Sequence, residues 1–374
     1  MDAQLQSPGR IRVLMTVDAV GGVWTYALDL ARELASLGVE VVLVVLGPEP
    51  DTGQRAAASA MAGLTLLTPG LALDWLADKA TTRETAAALA SLAAEQGVDL
   101  VHLNSPCLAA DQPYPVPVLT VDHGSLACWW EIARRGQDLP ADLAWHAALT
   151  GRGLRACARV LAPSASHAAA VRRVYALAVT PQIVRNGRAL PLQTGCKSAP
   201  ASARFAFTAG RLWDDVKDAP TLDRVAGRLP YPLRAAGPTT APHGSPVAFK
   251  HMEILGNIAG AELAGYLAQR PVFVSAARFE PFGLAVLEAA QAGCPLVLAD
   301  IPTFRELWDG AARFVAVGDD ERYAAEVIEI MSDHTLRDQL GSAAQNCAAT
   351  YTASRMAAAT ATHYRALLEA RIAA

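Results

Sequence analysis

Aromatic residues are scarce in this chain (6%), charged ones amount to only 18%, and 32 Lys+Arg against 36 Asp+Glu leave a net charge of −4. Without a basic excess to neutralise backbone phosphates, a dedicated nucleic-acid binder is disfavoured. No run reaches the about 18 apolar residues of a membrane-spanning helix, and the amino terminus, MDAQLQSPGR, has no apolar h-region of a secretory signal. Six cysteines (Cys107, Cys128, Cys157, Cys196, Cys294, Cys347) lie far apart with no C-x-x-C pair, which is the usage of a reduced cytosolic chain whose thiols fill core. Neither G-x-G-x-x-G nor G-x-x-x-x-G-K-[ST] occurs, so a standard dinucleotide fingerprint and a P-loop are both unsupported. No cluster of acids or histidines has metal-ligand spacing. These absences predict a cytoplasmic protein with no resident metal or cofactor and no nucleic-acid partner.

What is present is a long alternation. At 374 residues, 52% of them hydrophobic, the chain exceeds what one core holds, and two domains are expected. Short Val-, Ile- and Leu-rich runs alternate with Ala-rich helical segments, the pattern of parallel sheets with crossover helices. The runs at 11–17, 39–47, 64–67, 99–104, 117–122 and 159–163 predict one doubly wound α/β domain over 1–187. Residues 188–203, RALPLQTGCKSAPASA, are small, polar and Pro-bearing and read as a linker. Runs at 204–211, 233–237, 271–277, 295–300 and 312–317 predict a second such domain over 204–353, and the helical tail 354–374 has no strand partner.

Open α/β sheets bind ligands at the carboxyl ends of their strands, in a cleft shared by the two domains. Polar and glycine residues gather at those ends. Gly21-Gly22, between the first strand and its helix, is either a tight turn or a close backbone approach to a ligand. His123, after PVLTVD, is placed to line a cleft. Gly210, Arg211 and Lys217 in AGRLWDDVK combine a planar fork with a mobile point charge, which suits a diphosphate; alternatively the two cations pair with Asp214, Asp215 or Asp218. In SAARFEPFGLAVLEAAQAG, Glu280 and Glu288 bracket a Gly-bearing start to an apolar helix, whose free first-turn amides favour an anion. Trp129 and Trp130 read as packing or loop anchors. The arginines 134, 135, 152, 155, 159, 172 and 173 read as a solvated face or, alternatively, an anionic-acceptor or membrane-surface site.

Taken in register, the Gly21-Gly22 loop, IVRNGR (183–188), AGRLWDDVK and the Glu-x7-Glu pair Glu280/Glu288 resemble the retaining GT-B glycosyltransferases of family 4. IPTFREL and GAARFVAVGD extend the likeness over most of the chain. The resemblance implies two Rossmann-like domains, the last helix crossing back onto the first, and transfer of a hexosyl unit from a UDP- or GDP-linked sugar to a sugar, lipid-linked or small-molecule acceptor without a metal. It implies that Glu288 meets ribose, Glu280 the donor sugar, and Arg211 and Lys217 the leaving diphosphate. Gly21, Gly22, Gly210, Phe282, Gly283 and Leu284 would border the donor, and His123 would touch sugar hydroxyls. Alternative readings are a non-catalytic nucleotide-sugar binder and a GT-B sugar-nucleotide epimerase. The sequence departs from the family where Pro-Ser is common, at Ala276-Ala277; at Asp218, where Gly is usual; in an Arg211–Lys217 spacing one residue longer; and at Arg188, where an apolar residue is typical.

Overall fold

A computed structural model of the protein describes residues 10–189, 204–242, 244 and 246–373. In the first half the apolar runs form β1 (Ile11–Asp18), β2 (Val39–Leu46), β3 (Leu64–Leu71), β4 (Leu100–Leu103), β5 (Val118–Val121), β6 (Arg159–Ala162) and β7 (Gln182–Ile183). They lie in the order β3-β2-β1-β4-β5-β6-β7 with every pairing parallel. A sheet covered on both faces must be apolar on both, which is why its runs are continuous. Along β1, Val13, Met15 and Val17 enter one core cluster while Leu14 enters the other; β2 divides its valines and leucines the same way.

The second half forms β8 (Ala206–Ala209), β9 (Leu233–Ala236), β10 (Glu253–Gly256), β11 (Val272–Ser275), β12 (Leu296–Ala299) and β13 (Arg313–Val315). Their order is β10-β9-β8-β11-β12-β13, again all parallel. Phe207, Phe273, Leu296 and Leu298 face one cluster; Ala206, Val272, Val274 and Val297 face the other.

The described residues divide into two compact units, one within 10–128, 137–189 and 353–373, the other within 129–136 and 204–352. The carboxy-terminal helix Ala353–Ala373 thus belongs with the first sheet. Its Met356, Ala357, Ala361, Tyr364 and Leu367 join the core under the helix Gly22–Ser36, and the Tyr364 hydroxyl shares a 2.5 Å hydrogen bond with His102 Nδ1 of β4. Of the expected linker, residues 190–203 lie outside the described residues, as does Cys196. Two strands escape the sequence pattern: β7 is two exposed residues and β10 carries Glu253 at a half-exposed edge. Among the described residues no helix is long and apolar enough to cross a membrane.

Candidate active site

In the second unit, three strand ends build one polar corner. After β8 the chain turns at Gly210 into the 3-10 turn Asp215–Lys217. Asp214 ties this turn: its buried carboxylate accepts from Arg211 Nη2 at 2.8 Å, Trp129 Nε1 at 2.9 Å and the Val216 amide at 3.3 Å. The β9 end touches it backbone to backbone, since a Cβ on Gly237 (φ +131) would lie 1.8 Å from the Gly210 carbonyl oxygen. From below, Arg278 braces it, its amide 2.7 Å from the Val216 carbonyl oxygen and its Nη2 2.9 Å from that of Asp215.

Lys217 leaves the turn to pair with Glu280, 63 residues later in the chain, and the two side chains remain 23% and 16% exposed, within reach of a ligand. Arg211 pairs with Asp214, one of the partners its sequence context offered, yet stays 44% exposed. Gly283 is the N-cap of the helix Leu284–Gln291 at φ +93, and no side chain caps the first-turn amides. The positive φ favours glycine, and a Cβ there would crowd Glu280 Cγ and Phe304 Cε1 at 3.3 Å. Glu288 follows within that helix, half-buried. The Phe282 ring lies in the core, edge-on to Tyr351 at 5.7 Å, so only its main chain can face a ligand. Ala276 and Ala277 are buried on opposite core clusters, so a hydroxyl is replaced here by packing.

The first unit places its residues at the ends of β1, β4 and β5. Gly21 caps the helix Gly22–Ser36 in extended conformation and offers no side-chain bond, while Gly22 is exposed. His123 follows Asp122, whose carboxylate Oδ1 accepts from His167 Nε2 at 2.8 Å and from the Gly124 and Ser125 amides at 3.0 Å each. Burial alone would raise the Asp122 pKa, but the His167 bond and charge, the Gly124 amide and Ser125 outweigh it and hold the acid at about 2. For His123 burial dominates and pushes it down to about 4, and for His102 to about 3, so both rings are neutral near pH 7. His123 packs edge-on against Tyr26 at 4.5 Å, and its Nε2 lies 2.8 Å from Asn104 Oδ1. Asn104 closes the apolar run 99–104, and its bond to His123 joins positions that only the sheet makes adjacent.

Elsewhere, Asp74, Cys107 and His146 bring their ligand atoms within 4.8 Å of one another, a grouping invisible in the sequence because three separate segments supply it. Asp74 already accepts from His146 Nε2 at 2.6 Å and Ser105 Oγ at 2.9 Å, and Cys107 also bonds to it. That network fastens Asp74–Leu76, Pro106–Ala109 and the helix Ala141–Ala156 together. The five described cysteines are free thiols. The basic face is partly spent on structure: Arg152 holds Asp111, Arg155 the Tyr175 carbonyl, and Arg134 pairs with Asp215 while stacking over Trp129 at 5.4 Å. Trp129, through its bond to Asp214, anchors a loop. Arg188, unusual after Asn-Gly, meets the buried Asp29 at 2.5 Å.

Two parallel-sheet Rossmann-like units, with polar strand ends of this composition, define the GT-B architecture of glycosyltransferases. The Glycosyltransferase Family 4 pattern matches residues 20–188, and that of Glycosyl transferases group 1 matches residues 249–347. The chain is a GT4-like glycosyltransferase of GT-B fold, and therefore an enzyme. No curated protein sequence matches it significantly. Among solved structures it is similar to sucrose-phosphate synthase from Thermosynechococcus elongatus (TM-score 0.77, 19% identity, covering 96% of this chain and 100% of that one). It is also similar to WaaG, a glycosyltransferase involved in lipopolysaccharide biosynthesis (TM-score 0.69, 14% identity, 94% and 98% covered). A third is Anabaena HepE in complex with UDP and glucose (TM-score 0.68, 16% identity, 95% and 99% covered). At these identities the likenesses establish the fold.

Proposed function

We propose that the protein moves a hexosyl unit from a UDP- or GDP-linked sugar to a sugar or lipid-linked acceptor, with retention of configuration and without a metal. The Lys217–Glu280 pair carries this reading: a cation and an acid from separate loops meet, partly exposed, beside the uncapped helix start at Gly283. Arg211 and Lys217 meet the diphosphate, and as the glycosidic bond breaks they stabilise the charge that gathers on the leaving oxygen. Helix amides near Gly283 and Leu284 add to that field. Glu280 holds donor-sugar hydroxyls and, bound to Lys217, keeps the ammonium in place; Glu288 takes the ribose. The acceptor attacks from the face the diphosphate leaves, and the departing phosphate oxygen takes its proton, so no side-chain base is assigned. Gly21 and Gly22 border the ligand by their main chain, and Gly210 keeps the Arg211 loop close. Contact with an anionic membrane surface, where the acceptor is lipid-linked, falls to the helix Ala165–Val174, which ends in Arg172 and Arg173.

HepE, whose structure holds UDP and glucose, supports the choice of donor. The test is turnover of UDP-glucose and GDP-mannose with a panel of sugar acceptors in EDTA, reading nucleoside diphosphate release and the anomeric configuration of the product by proton NMR. Acceptor-dependent release with a retained product is expected. An inverted product contradicts retention, and release that depends on an added divalent ion contradicts metal independence.

A further inference from the structure

The orientation of one amide decides what His123 can do. The Asn104 side chain reaches the Thr16 carbonyl oxygen through Nδ2 at 2.6 Å, and its main-chain amide donates to Thr16 Oγ1 at 2.9 Å. A main-chain carbonyl can only accept, so the amide nitrogen must face it and Oδ1 must face the other way. That oxygen lies 2.8 Å from His123 Nε2. An amide oxygen likewise only accepts, so the proton between them belongs to the imidazole. A neutral imidazole with its proton on Nε2 leaves a lone pair on Nδ1. Among the described residues Nδ1 has no protein partner, and it is not among the enclosed unpartnered atoms, so it opens to solvent. A half-turn of the ring would put a carbon where Nε2 stands and lose the Asn104 bond. The strand end beneath it is fixed through the Asp122 carboxylate.

We infer that Asn104 is a positioning residue that locks His123 in its Nε2–H tautomer, so that the open face of His123 is a hydrogen-bond acceptor selective for a ligand hydroxyl. This rests on the nucleotide-sugar reading above for the identity of the hydroxyl, a donor-sugar OH, but not for the tautomer. His123 then neither gives a proton to the leaving group nor binds the diphosphate as a cation. It recognises a group that can donate: a hexose with its hydroxyl is bound, and one whose hydroxyl is methylated or missing is not.

Two measurements test it. The first is long-range proton–nitrogen NMR on protein labelled with 15N-histidine, with the His123 signal assigned by its loss in His123→Gln. Wild type should give a pyrrole-like Nε2 and a pyridine-like Nδ1, and Asn104→Leu should give a mixture of tautomers. A proton on Nδ1 in wild type, or an unchanged tautomer in Asn104→Leu, would overturn the inference. The second is calorimetric titration with UDP and UDP-glucose, and with GDP and GDP-mannose. Asn104→Leu should lose most of any advantage that the sugar nucleotide has over its nucleoside diphosphate while binding the diphosphate itself within twofold of wild type. Equal loss for both ligands, or no loss, would overturn the role in sugar recognition. Failure of wild type to bind any of the four would instead sink the nucleotide-sugar reading and leave the tautomer result standing.

Discussion

His102 lies within β4 and His123 follows the neighbouring β5, and burial holds both neutral, down to about 3 and about 4 respectively. In the unfolded chain each would titrate near the ordinary histidine value of about 6.5. Below that pH the unfolded state binds protons that the folded state refuses, so stability falls as the solution is acidified. For fully buried His102 the slope approaches about 1.4 kcal/mol per pH unit. Urea unfolding at pH 7.0 and 5.0 should therefore show a stability gap that shrinks by about 2 kcal/mol in His102→Gln, given the about 1.5 pH units between 6.5 and 5.0; an unchanged gap would contradict the neutral buried ring. Asp122 acts in the opposite sense. Its depressed acid adds stability above the ordinary aspartate range, lost as pH falls from about 4 toward about 2, and Asp122→Asn should flatten that acid limb. Gly283→Ala must place a Cβ at φ +93 against Glu280, costing about 1–2 kcal/mol in conformational strain, readable as a lowered Tm. Because the clash moves Glu280, the same variant should lose sugar-nucleotide affinity at temperatures where it remains folded.

The strands with buried faces were legible as elements, because a parallel sheet covered on both sides needs unbroken runs such as IRVLMTV and VEVVLVVLG. Gln182–Ile183 and Glu253–Gly256 were not, since an edge strand buries too little to need an apolar run. The Glu280 to Glu288 stretch was legible because its spacing is local to one turn and helix. Asn104, Arg278 and the Asp74–Cys107–His146 network were not: each gets its meaning from a partner that only the fold supplies. Arg188, a departure from the family pattern in sequence, becomes intelligible once Asp29 is seen buried beside it. The carboxy-terminal helix is the clearest case of an element stabilised by tertiary packing. Its face carries Met356, Tyr364 and Leu367 into the core under the helix Gly22–Ser36. Tyr364→Ala should cost about 3–5 kcal/mol in urea unfolding through the cavity it leaves. Tyr364→Phe keeps the ring but strands His102 Nδ1, and should cost about 1–3 kcal/mol.

At the scale of the whole molecule, two parallel sheets of the same construction carry unlike strand ends. One presents histidine, asparagine and glycine, which suit hydroxyls; the other presents arginine, lysine and glutamate around an uncapped helix, which suit a sugar diphosphate. That division makes the second unit the donor side in the proposed function, and the claim rests most heavily on Lys217. Calorimetric titration of wild type and Lys217→Ala with UDP, GDP and ADP in EDTA tests it most directly. The expected result is binding of one nucleotide that weakens tenfold or more in the variant, a loss of about 1.4 kcal/mol. Binding that survives Lys217→Ala unchanged, or that is absent for all three nucleotides in wild type, would contradict it.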